Sequence, residues 1–452
     1  MGKIYAASND GYVEKGAPSF AGARDASSGD TADSASTREA YAVRAGEPGG
    51  GGTWYVNRTF MAFDTSGIST APDYATLKIR GYSGAYADVI VLKADAPADL
   101  ATSLATSDFD AITGFVAGSS MSGNVTEYSS VMSSWSSAFT NSISLNAAAL
   151  ADMASGSVFK ICIVEYNYDY LNNSSTPANN YSGMYYQDRT GTSYDPYIEY
   201  PTTYIVKQDG TGDYTTIADA LSAAANDDII EIQDSETYNE GNLYKIATNL
   251  TIRAAAGQTP IMDGQNNYAC ALRFYTGWRI QGITVTNYDG TTGLAANGAG
   301  FISASSYRRA TIVDCTIYNV SDNAIEGLAD NSVVENCKIY NVTNGAAAIT
   351  TGTSYNIAVR QCLIYDISGT GIYALDAGTV IEQCTVYNVG YNGSTNYGVL
   401  TTNGTAKWNI IVNPLHNSRI SGLRAGTHEY NCVSGSEGGT SGNIYGGAGT
   451  GD

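Results

Sequence analysis

Basic residues are scarce in this sequence. The 452 residues include 23 Lys and Arg against 43 Asp and Glu, which gives a formal net charge of −20. Such a surface repels phosphate backbones and anionic membranes, so nucleic acids are excluded as partners. It also disfavours polyanionic glycans unless calcium bridges the like charges. No apolar run approaches the length of a membrane-spanning segment, and membrane insertion is therefore not expected.

Familiar catalytic signatures are missing as well. The chain has two histidines, His416 and His428, with no Ser or Cys signature beside them, which argues against a catalytic triad. No Cys-x-x-Cys pair indicates zinc. The start, Met1–Tyr5, lacks the apolar stretch of a secretion signal. We expect either release from a cytoplasm by another route, as for virion proteins, or an export signal outside the given sequence.

The sequence does contain a repeat. The pattern Cys-x-aliphatic-Tyr-Asn/Asp begins at Cys315, Cys337, Cys362 and Cys384, with spacings of 22, 25 and 22 residues. Repeats of this length are typical of solenoids, whose units bury their apolar faces only against their neighbours. Short strands with Gly- and Asn-rich turns leave no room for crossover helices. The repeat therefore predicts the coils of a parallel β-helix.

Aligning the coils predicts three columns of side chains. The inward column comprises Ile283, Cys315, Cys337, Cys362, Cys384, Ile410 and Cys432, as a row of buried thiols and isoleucines. A turn column of mutually hydrogen-bonded side chains comprises Asn287, Asn319, Asn341, Asp366 and Asn388. An outward row comprises Tyr318, Tyr340, Tyr365 and Tyr387. We interpret this row first as structural stacking, and otherwise as a subunit interface or a glycan-binding stripe.

The start of the second half resembles a known superfamily. The segment Val206–Leu221, with its Gly-rich turn, followed by Ile229–Ile232 and Thr237–Glu240, looks like the opening of pectin-lyase-like right-handed parallel β-helix proteins. That resemblance implies a short helix that caps the first coil. The residues agree, because Ile217, Ala220, Leu221 and Ala224 recur at helical spacing.

The first half predicts an irregular β domain. Short apolar or alternating runs occur at 58–64, 75–80, 88–93 and 158–164, with a short helix at 146–153. The segments Asp10–Val13, Arg58–Ile68 and Ala75–Ile79 resemble β-sandwich modules, many of them carbohydrate-binding, found beside enzymes and in phage structural proteins. The predicted fold is all-β: a jelly-roll-like β-sandwich at 1–201, then a right-handed parallel β-helix with a short capping helix at 202–452.

The sequence contains few candidates for catalytic or metal-binding residues. Asp322, Glu326 and Asp330, with Asp314 one turn away, could hold two carboxylates or a calcium ion, although such residues more often form a solvated loop. The opening of the second domain resembles pectin methylesterases, but their catalytic segments have no counterpart here. We therefore assign no catalytic residue and expect no cofactor, apart from calcium at these three positions.

These features favour a non-enzymatic surface or virion protein. The layout resembles tail-spike, fibre or head-decoration components of bacteriophages, which implies adhesion, location on a virion or extracellular surface, and surface glycans or other virion subunits as partners. The spike resemblance also implies a homotrimer. Alternatives are a secreted polysaccharide lyase or glycoside hydrolase with a carbohydrate-binding module, or a purely structural spacer. Because 446–452 contain no amphipathic segment, we expect further chain or an interface to cover the last coil.

Overall fold

The computed structural model describes residues 1–46, 52–175, 180–187, 191, 193–289, 298–304, 308–344, 347–351, 356–374, 378–390, 398–401, 404–412, 427–429, 431–434 and 444–445. The chain forms two compact units, Met1–Pro201 and Thr202–Asp452. Within the described ranges, no helix is long and apolar enough to cross a membrane.

The first unit is built from antiparallel strands. They are β1 (Gly2–Tyr5), β2 (Gly11–Ala17), β3 (Thr31–Asp33), β4 (Arg38–Gly46), β5 (Trp54–Asp64), β6 (Thr76–Ala85), β7 (Val89–Lys93), β8 (Thr140–Ser144), β9 (Val158–Glu165), β10 (Tyr181–Tyr185) and β11 (Tyr197–Tyr200). The helices are α1 (Phe20–Arg24), α2 (Ala147–Ser155), a 3₁₀ turn (Thr106–Asp108) and a π-helix (Tyr166–Tyr170).

The strands pair in the order β1-β11-β6-β10-β4-β5-β2-β3, while β8 pairs with β6 and β9 joins β5 to β7. Hydrophobic residues cover both sides of β5, because Phe63 belongs to one buried cluster and Phe60 to another. The predicted apolar runs coincide with β5, β6, β7 and β9, and α2 begins after Asn146, whose side chain caps it. These local predictions are confirmed.

The second unit is a right-handed β-helix of three parallel sheets. Sheet I contains β12 (Thr203–Val206), β13 (Ile229–Ile232), β16 (Thr251–Ala254), β19 (Trp278–Gln281), β22 (Ala310–Val313), β25 (Val333–Glu335), β28 (Ala358–Arg360), β31 (Val380–Glu382), β34 (Thr405–Lys407) and β36 (Thr427–Glu429). Sheet II contains β14 (Thr237–Tyr238), β17 (Ile261–Asp263), β20 (Thr284–Tyr288), β23 (Thr316–Val320), β26 (Lys338–Val342), β29 (Leu363–Ile367), β32 (Thr385–Val389), β35 (Ile410–Val412), β37 (Cys432–Ser434) and β38 (Ile444–Tyr445). Sheet III contains β15 (Leu243–Tyr244), β18 (Cys270–Phe274), β21 (Ala299–Ser303), β24 (Ile325–Leu328), β27 (Ala347–Thr351), β30 (Thr370–Ala374) and β33 (Val399–Thr401).

A short helix packs against the core of the first coil. Helix α3 spans Ile217–Ala223, and the hydroxyl of Thr216 accepts a hydrogen bond from the backbone N–H of Asp219. Ile217, Ala220 and Leu221 are buried in the same hydrophobic cluster as the strands of the coil. The predicted capping helix is thus confirmed.

The cysteine column is present, but its continuation differs from the prediction. Cys315, Cys337, Cys362 and Cys384 are at most 2% exposed, and each thiol donates to a carbonyl of the preceding coil at 3.6–3.8 Å. The assignment of Ile410 and Cys432 to this column is wrong. Ile410 pairs with Thr385 and is 48% exposed, and Cys432 pairs in turn with Ile410.

Two asparagines continue the column instead. Asn409 and Asn431 are at most 2% exposed, and the Asn409 amide donates to the carbonyl of Ile381 and to Oδ1 of Asn431, both at 2.9 Å. The Asn431 amide donates to the carbonyl of Ala406 at 2.8 Å. The amide therefore makes the same link to the preceding coil as the thiol, which is why a polar residue is accepted at an inward position.

The column of Asn and Asp residues exists, but its members lie within strands of sheet II and not at a turn as predicted. Its five members adopt left-handed backbone angles, with φ between 47° and 58°, a conformation that Asn and Asp tolerate better than most residues. Asn319 donates to Asn287 at 3.2 Å, Asn341 donates to Asn319 at 2.6 Å, and Asn388 donates to Asp366. His416 and the glycine-rich end at 446–452 lie outside the described residues.

We expect Ile339→Ala to destabilise the second unit by about 2–5 kcal/mol, because it leaves a cavity at a fully buried position of β26. The measurement is the midpoint of thermal unfolding. Lys338→Ala, at the exposed neighbouring position of the same strand, is the control. Equal midpoints for both variants would contradict the assignment of Ile339 to the core.

Candidate functional site

The four repeat tyrosines form a stacked row on the outer face of sheet II. Tyr318, Tyr340, Tyr365 and Tyr387 are paired in register, with ring centroids 4.9 Å apart and ring planes within 2° of parallel. Rings in one plane would clash at that separation, so the phenyl groups overlap face to face. The predicted outward row therefore exists.

This overlap limits what the row can bind. Both faces of Tyr340 and Tyr365 are covered by neighbouring rings, so the edges and hydroxyls point outward. The outer face of Tyr318 is next to Thr286, and that of Tyr387 is next to Val412. A sugar ring stacked on an aromatic face would have room at these two ends alone, whereas the middle of the row offers hydroxyl contacts.

A second outward column lies on sheet III. Register places Tyr244 beside Arg273, Arg273 beside Ile302, and Ile302 beside Glu326. Glu326 occupies a β-bulge: Ile325 pairs with Ile349 and Leu328 with Thr351, so Glu326 and Gly327 together oppose one residue of the next strand. Gly327 has φ +78°, and a Cβ there would lie 2.8 Å from Cβ of Ser303. Glycine is thus required beside Glu326.

Two carboxyl groups meet at this bulge. Burial raises the pKa of Glu326, and the negative charge of Asp322 raises it further, while a hydrogen bond from Asn323 lowers it. Asp322 lies in the turn before β24, where its Oδ1 accepts from the backbone N–H of Asn323 at 2.8 Å and its own N–H donates to Gly298 at 3.1 Å. The half-buried Glu326 therefore retains its proton to a higher pH than an exposed glutamate does.

Asn323 holds this arrangement to the next coil. Its side chain is 8% exposed, and Oδ1 accepts from the backbone N–H of Ala347 at 2.9 Å. The amide nitrogen is then directed to Glu326. Asn323 thereby positions Glu326 without any charge of its own.

The four acidic residues named from the sequence are not all brought together. Asp330 follows β24, whereas Asp322 precedes it, so the strand separates them. Asp314 lies at the turn between sheets I and II, where it accepts from Gln281 at 3.1 Å and Asn336 at 2.7 Å. Among the described residues, no three His, Cys, Asp or Glu side chains are placed to hold a metal ion. Of the four acidic residues, Asp322 and Glu326 remain as the candidate pair.

The sequence did not reveal the role of Asn323 or of the bulge. The available signal was Gly327, because an isolated glycine in a strand often marks a bulge. The short apolar runs around it gave no indication of which strand carried the extra residue.

Comparison with known proteins supports the fold of the second unit. A family model described as "Right handed beta helix region" matches residues 261–414. A search of curated proteins finds no match.

Three solved structures illustrate the similarity to known folds. The catalytic domain of Agl-KA is 13% identical, with 98% of this chain and 76% of that chain covered and a TM-score of 0.36. The catalytic unit of the thermostable GH87 alpha-1,3-glucanase from Streptomyces thermodiastaticus strain HF3-3 is 12% identical, with 86% and 68% covered and a TM-score of 0.33. The pectin methylesterase from Aspergillus niger is 15% identical, with 54% and 91% covered and a TM-score of 0.28. At these identities the similarity concerns the fold.

These matches correct the functional expectation. The main interpretation, a non-enzymatic virion or surface protein of tail-spike, fibre or decoration type, is wrong, because the matched structures are catalytic domains of glycoside hydrolases and a pectin methylesterase. The right-handed β-helix part of the resemblance is confirmed by the family model, and the phage part is not. The alternative of a carbohydrate-active enzyme fits better, and its chemistry is argued below from this chain's own residues.

We expect Tyr340→Ala to lower the free energy of unfolding of the second unit by about 1 kcal/mol, because it removes two ring contacts. Tyr340→Phe keeps both contacts and serves as the control, with an expected midpoint of thermal unfolding equal to that of the parent. An equal loss in both variants would show that the hydroxyl, and not the stack, stabilises the row.

We expect Glu326→Gln to make the protein more stable at neutral pH. The pKa of Glu326 is raised on folding, so its contribution to stability is complete below the unfolded pKa and is lost as the pH rises through the folded pKa. The glutamine variant should therefore match the parent below about pH 4 and unfold at a higher temperature near pH 7. Asp330→Asn, at an exposed position after the same strand, is the control. A variant no more stable than the parent near pH 7 would contradict the environment described for Glu326.

Proposed function

We propose that this protein is a carbohydrate-active enzyme that hydrolyses glycosidic bonds in an extracellular polysaccharide. The observation that carries the proposal is the bulge on sheet III, which places the half-buried Glu326 beside the second carboxyl group, Asp322. Two carboxyl groups in unequal environments are the minimum for acid-assisted glycoside cleavage. A bulge next to them is typical of a site where function dictates the backbone.

Each residue has one role in this proposal. Glu326, whose pKa is raised by burial and by the charge of Asp322, donates its proton to the glycosidic oxygen as the bond from that oxygen to the anomeric carbon breaks. The Asp322 carboxylate opposes the positive charge that develops on the sugar ring. Water supplies the hydroxyl group for the anomeric carbon, and its remaining proton restores the acid. Asn323 and Gly327 position Glu326.

The same geometry favours hydrolysis over elimination. A lyase needs a base that removes a proton beside a uronate carboxylate, together with a group that neutralises that carboxylate. A carboxyl group that keeps its proton is better suited to be an acid than a base. Arg273, two strands from Glu326 in the same outward column, is the residue that could face a substrate carboxylate.

We expect Glu326→Gln to reduce cleavage by at least about 100-fold, because it removes the proton donor. The protein is incubated with a panel of neutral and acidic polysaccharides, and new reducing ends are measured. Asp322→Asn should also reduce cleavage, and should shift the alkaline limb of any remaining activity to lower pH, because the charge that raises the pKa of Glu326 is gone. Asp330→Asn is the matched control and should retain activity.

Two results would contradict this proposal. Reducing ends formed equally by the parent and by Glu326→Gln would place the chemistry elsewhere. Products that absorb in the ultraviolet as unsaturated uronates would show elimination, and the protein would then be a lyase.

A further inference from the structure

Three arginines of the first unit lie against tyrosine rings on neighbouring strands. The guanidinium of Arg38 is 4.4 Å from the ring centroid of Tyr82, that of Arg44 is 4.8 Å from Tyr41, and that of Arg80 is 5.4 Å from Tyr194. We call these six residues the Tyr–Arg face. Strand β10 lies between β4, which carries Arg38 and Arg44, and β6, which carries Arg80.

Two further tyrosines of β10 connect the Tyr–Arg face. The ring of Tyr181 packs against Tyr41 at 4.6 Å and against Tyr86 at 5.3 Å. The ring of Tyr185 packs against Tyr82 at 5.3 Å and against Tyr194 at 4.8 Å. Because Tyr181 and Tyr185 are four residues apart on one strand, the two groups of rings are about 13 Å apart. The surface is therefore longer than a single sugar residue.

These rings are open to solvent. Tyr41 is 40% exposed, Tyr86 64%, and Phe139, whose ring lies 5.9 Å from the Arg80 guanidinium, 71%. Large aromatic side chains with this exposure on one sheet are unusual for a surface with no partner. Unlike the stacked row of sheet II, these rings meet at inclined angles, so their faces are not all covered by neighbours.

The charges on this surface are unbalanced. In the part of the chain that the structure describes, the guanidinium groups of Arg38, Arg44 and Arg80 form neither a hydrogen bond nor an ion pair, and Nε of Arg80 is buried without a partner. By contrast, the buried Arg58 of the same unit pairs with Asp169 at 2.7 Å. Arg44 is 8% exposed and lies between the rings of Tyr41 and Tyr55, so Arg38 and Arg80 are the two arginines of this face that a ligand can reach. In a chain with 43 acidic and 23 basic residues, these two arginines on one surface are a local excess of positive charge.

The nearby acidic residues do not neutralise these arginines. Glu39 precedes Tyr41 on β4, and its Oε1 accepts from the backbone N–H of Tyr41 at 2.8 Å. Glu14 acts on Arg44 through its charge, while its Oε2 accepts from Asn57 at 3.0 Å. Both carboxylates thus have other hydrogen-bond partners.

We propose that the Tyr–Arg face binds an acidic polysaccharide, with tyrosine rings against sugar faces and guanidinium groups paired with carboxylate or sulfate substituents. The planar guanidinium fork matches the oxygens of either anion. Aromatic rings that support the guanidinium keep it in place for pairing. A polymer is long enough to contact both groups of rings at once, whereas a small anion could contact one group alone.

This site is separate from Asp322 and Glu326, and the proposal does not depend on cleavage. It also changes the inference that the net charge disfavours polyanionic glycans. A strongly acidic chain can still have a basic surface that binds them. Binding here would provide the first unit with a glycan-anchoring role.

The test measures binding of the full chain carrying Glu326→Gln, so that no substrate is consumed. Affinity electrophoresis is run in gels that contain polygalacturonate, dextran sulfate or neutral dextran. We expect retardation by at least one acidic polymer, weakened by salt, and none by dextran. Retardation by polygalacturonate identifies carboxylate as the paired group, and retardation by dextran sulfate identifies sulfate.

The variant Arg38→Gln/Arg80→Gln should weaken binding about tenfold. Lys3→Gln/Lys15→Gln, which removes the same charge from other positions of the first unit, should leave binding unchanged. Arg38→Gln alone, at an exposed position, should already weaken binding. Tyr41→Ala/Tyr86→Ala removes two exposed rings of this surface and should also weaken binding. Tyr5→Ala is the control and should leave binding unchanged.

Four results would overturn this proposal: no retardation in either acidic gel, equal retardation by dextran, equal loss in the lysine variant, or a change in oligomeric mass in the arginine variant. The last would show that the face binds a second copy of the chain. Cleavage is assayed separately with the parent, so that failure of binding and failure of the proposed activity are distinguished.

Discussion

Hydrogen bonding between successive coils is the constraint on which the second unit depends. Parallel strands pair residue by residue along the axis, so whatever occupies one position of a coil faces its equivalent in the next. The same register produces a row of cysteine thiols inside, a row of Asn and Asp side chains along sheet II and a row of tyrosine rings outside. Each row satisfies a different physical requirement: apolar burial, hydrogen bonding between side chains, and ring contact.

The proposed catalytic pair lies where this register is interrupted. Between β24 and β27 two residues face one, and the glutamate of that pair is close enough to Asp322 for the charge of Asp322 to raise its pKa. Glu326 is aligned with Ile302 of the preceding coil, but it shares one partner in the next coil with Gly327, whereas Tyr340 and Tyr365 each have a single partner on both sides. The irregularity therefore distinguishes Glu326, for which we propose a chemical role, from the tyrosines, which stack in register.

Much of the architecture could be predicted from the sequence, because a repeat of 22 to 25 residues with a fixed pattern leaves few alternatives. The thiol column and the tyrosine row followed from spacing, whereas the capping helix was implied by the resemblance of Val206–Leu221 to the opening of pectin-lyase-like proteins. Ile410 and Cys432 were misplaced because the rule that aliphatic residues lie inside selected Ile410, whereas Asn409, one residue earlier, is the buried one. The Glu326 bulge and the Tyr–Arg face depend on which strands become neighbours, and in the first unit β4, β6 and β10 are far apart in sequence.

The thiol column has a consequence for following the motions of the molecule. Four reduced cysteines lie one coil apart along the axis, each buried and each hydrogen-bonded to the coil before it. An alkylating reagent can reach a given sulfur only when that stretch of the solenoid opens. The order in which the four cysteines are alkylated would therefore report, coil by coil, where fraying starts and how far it spreads, with no cysteine introduced by mutation.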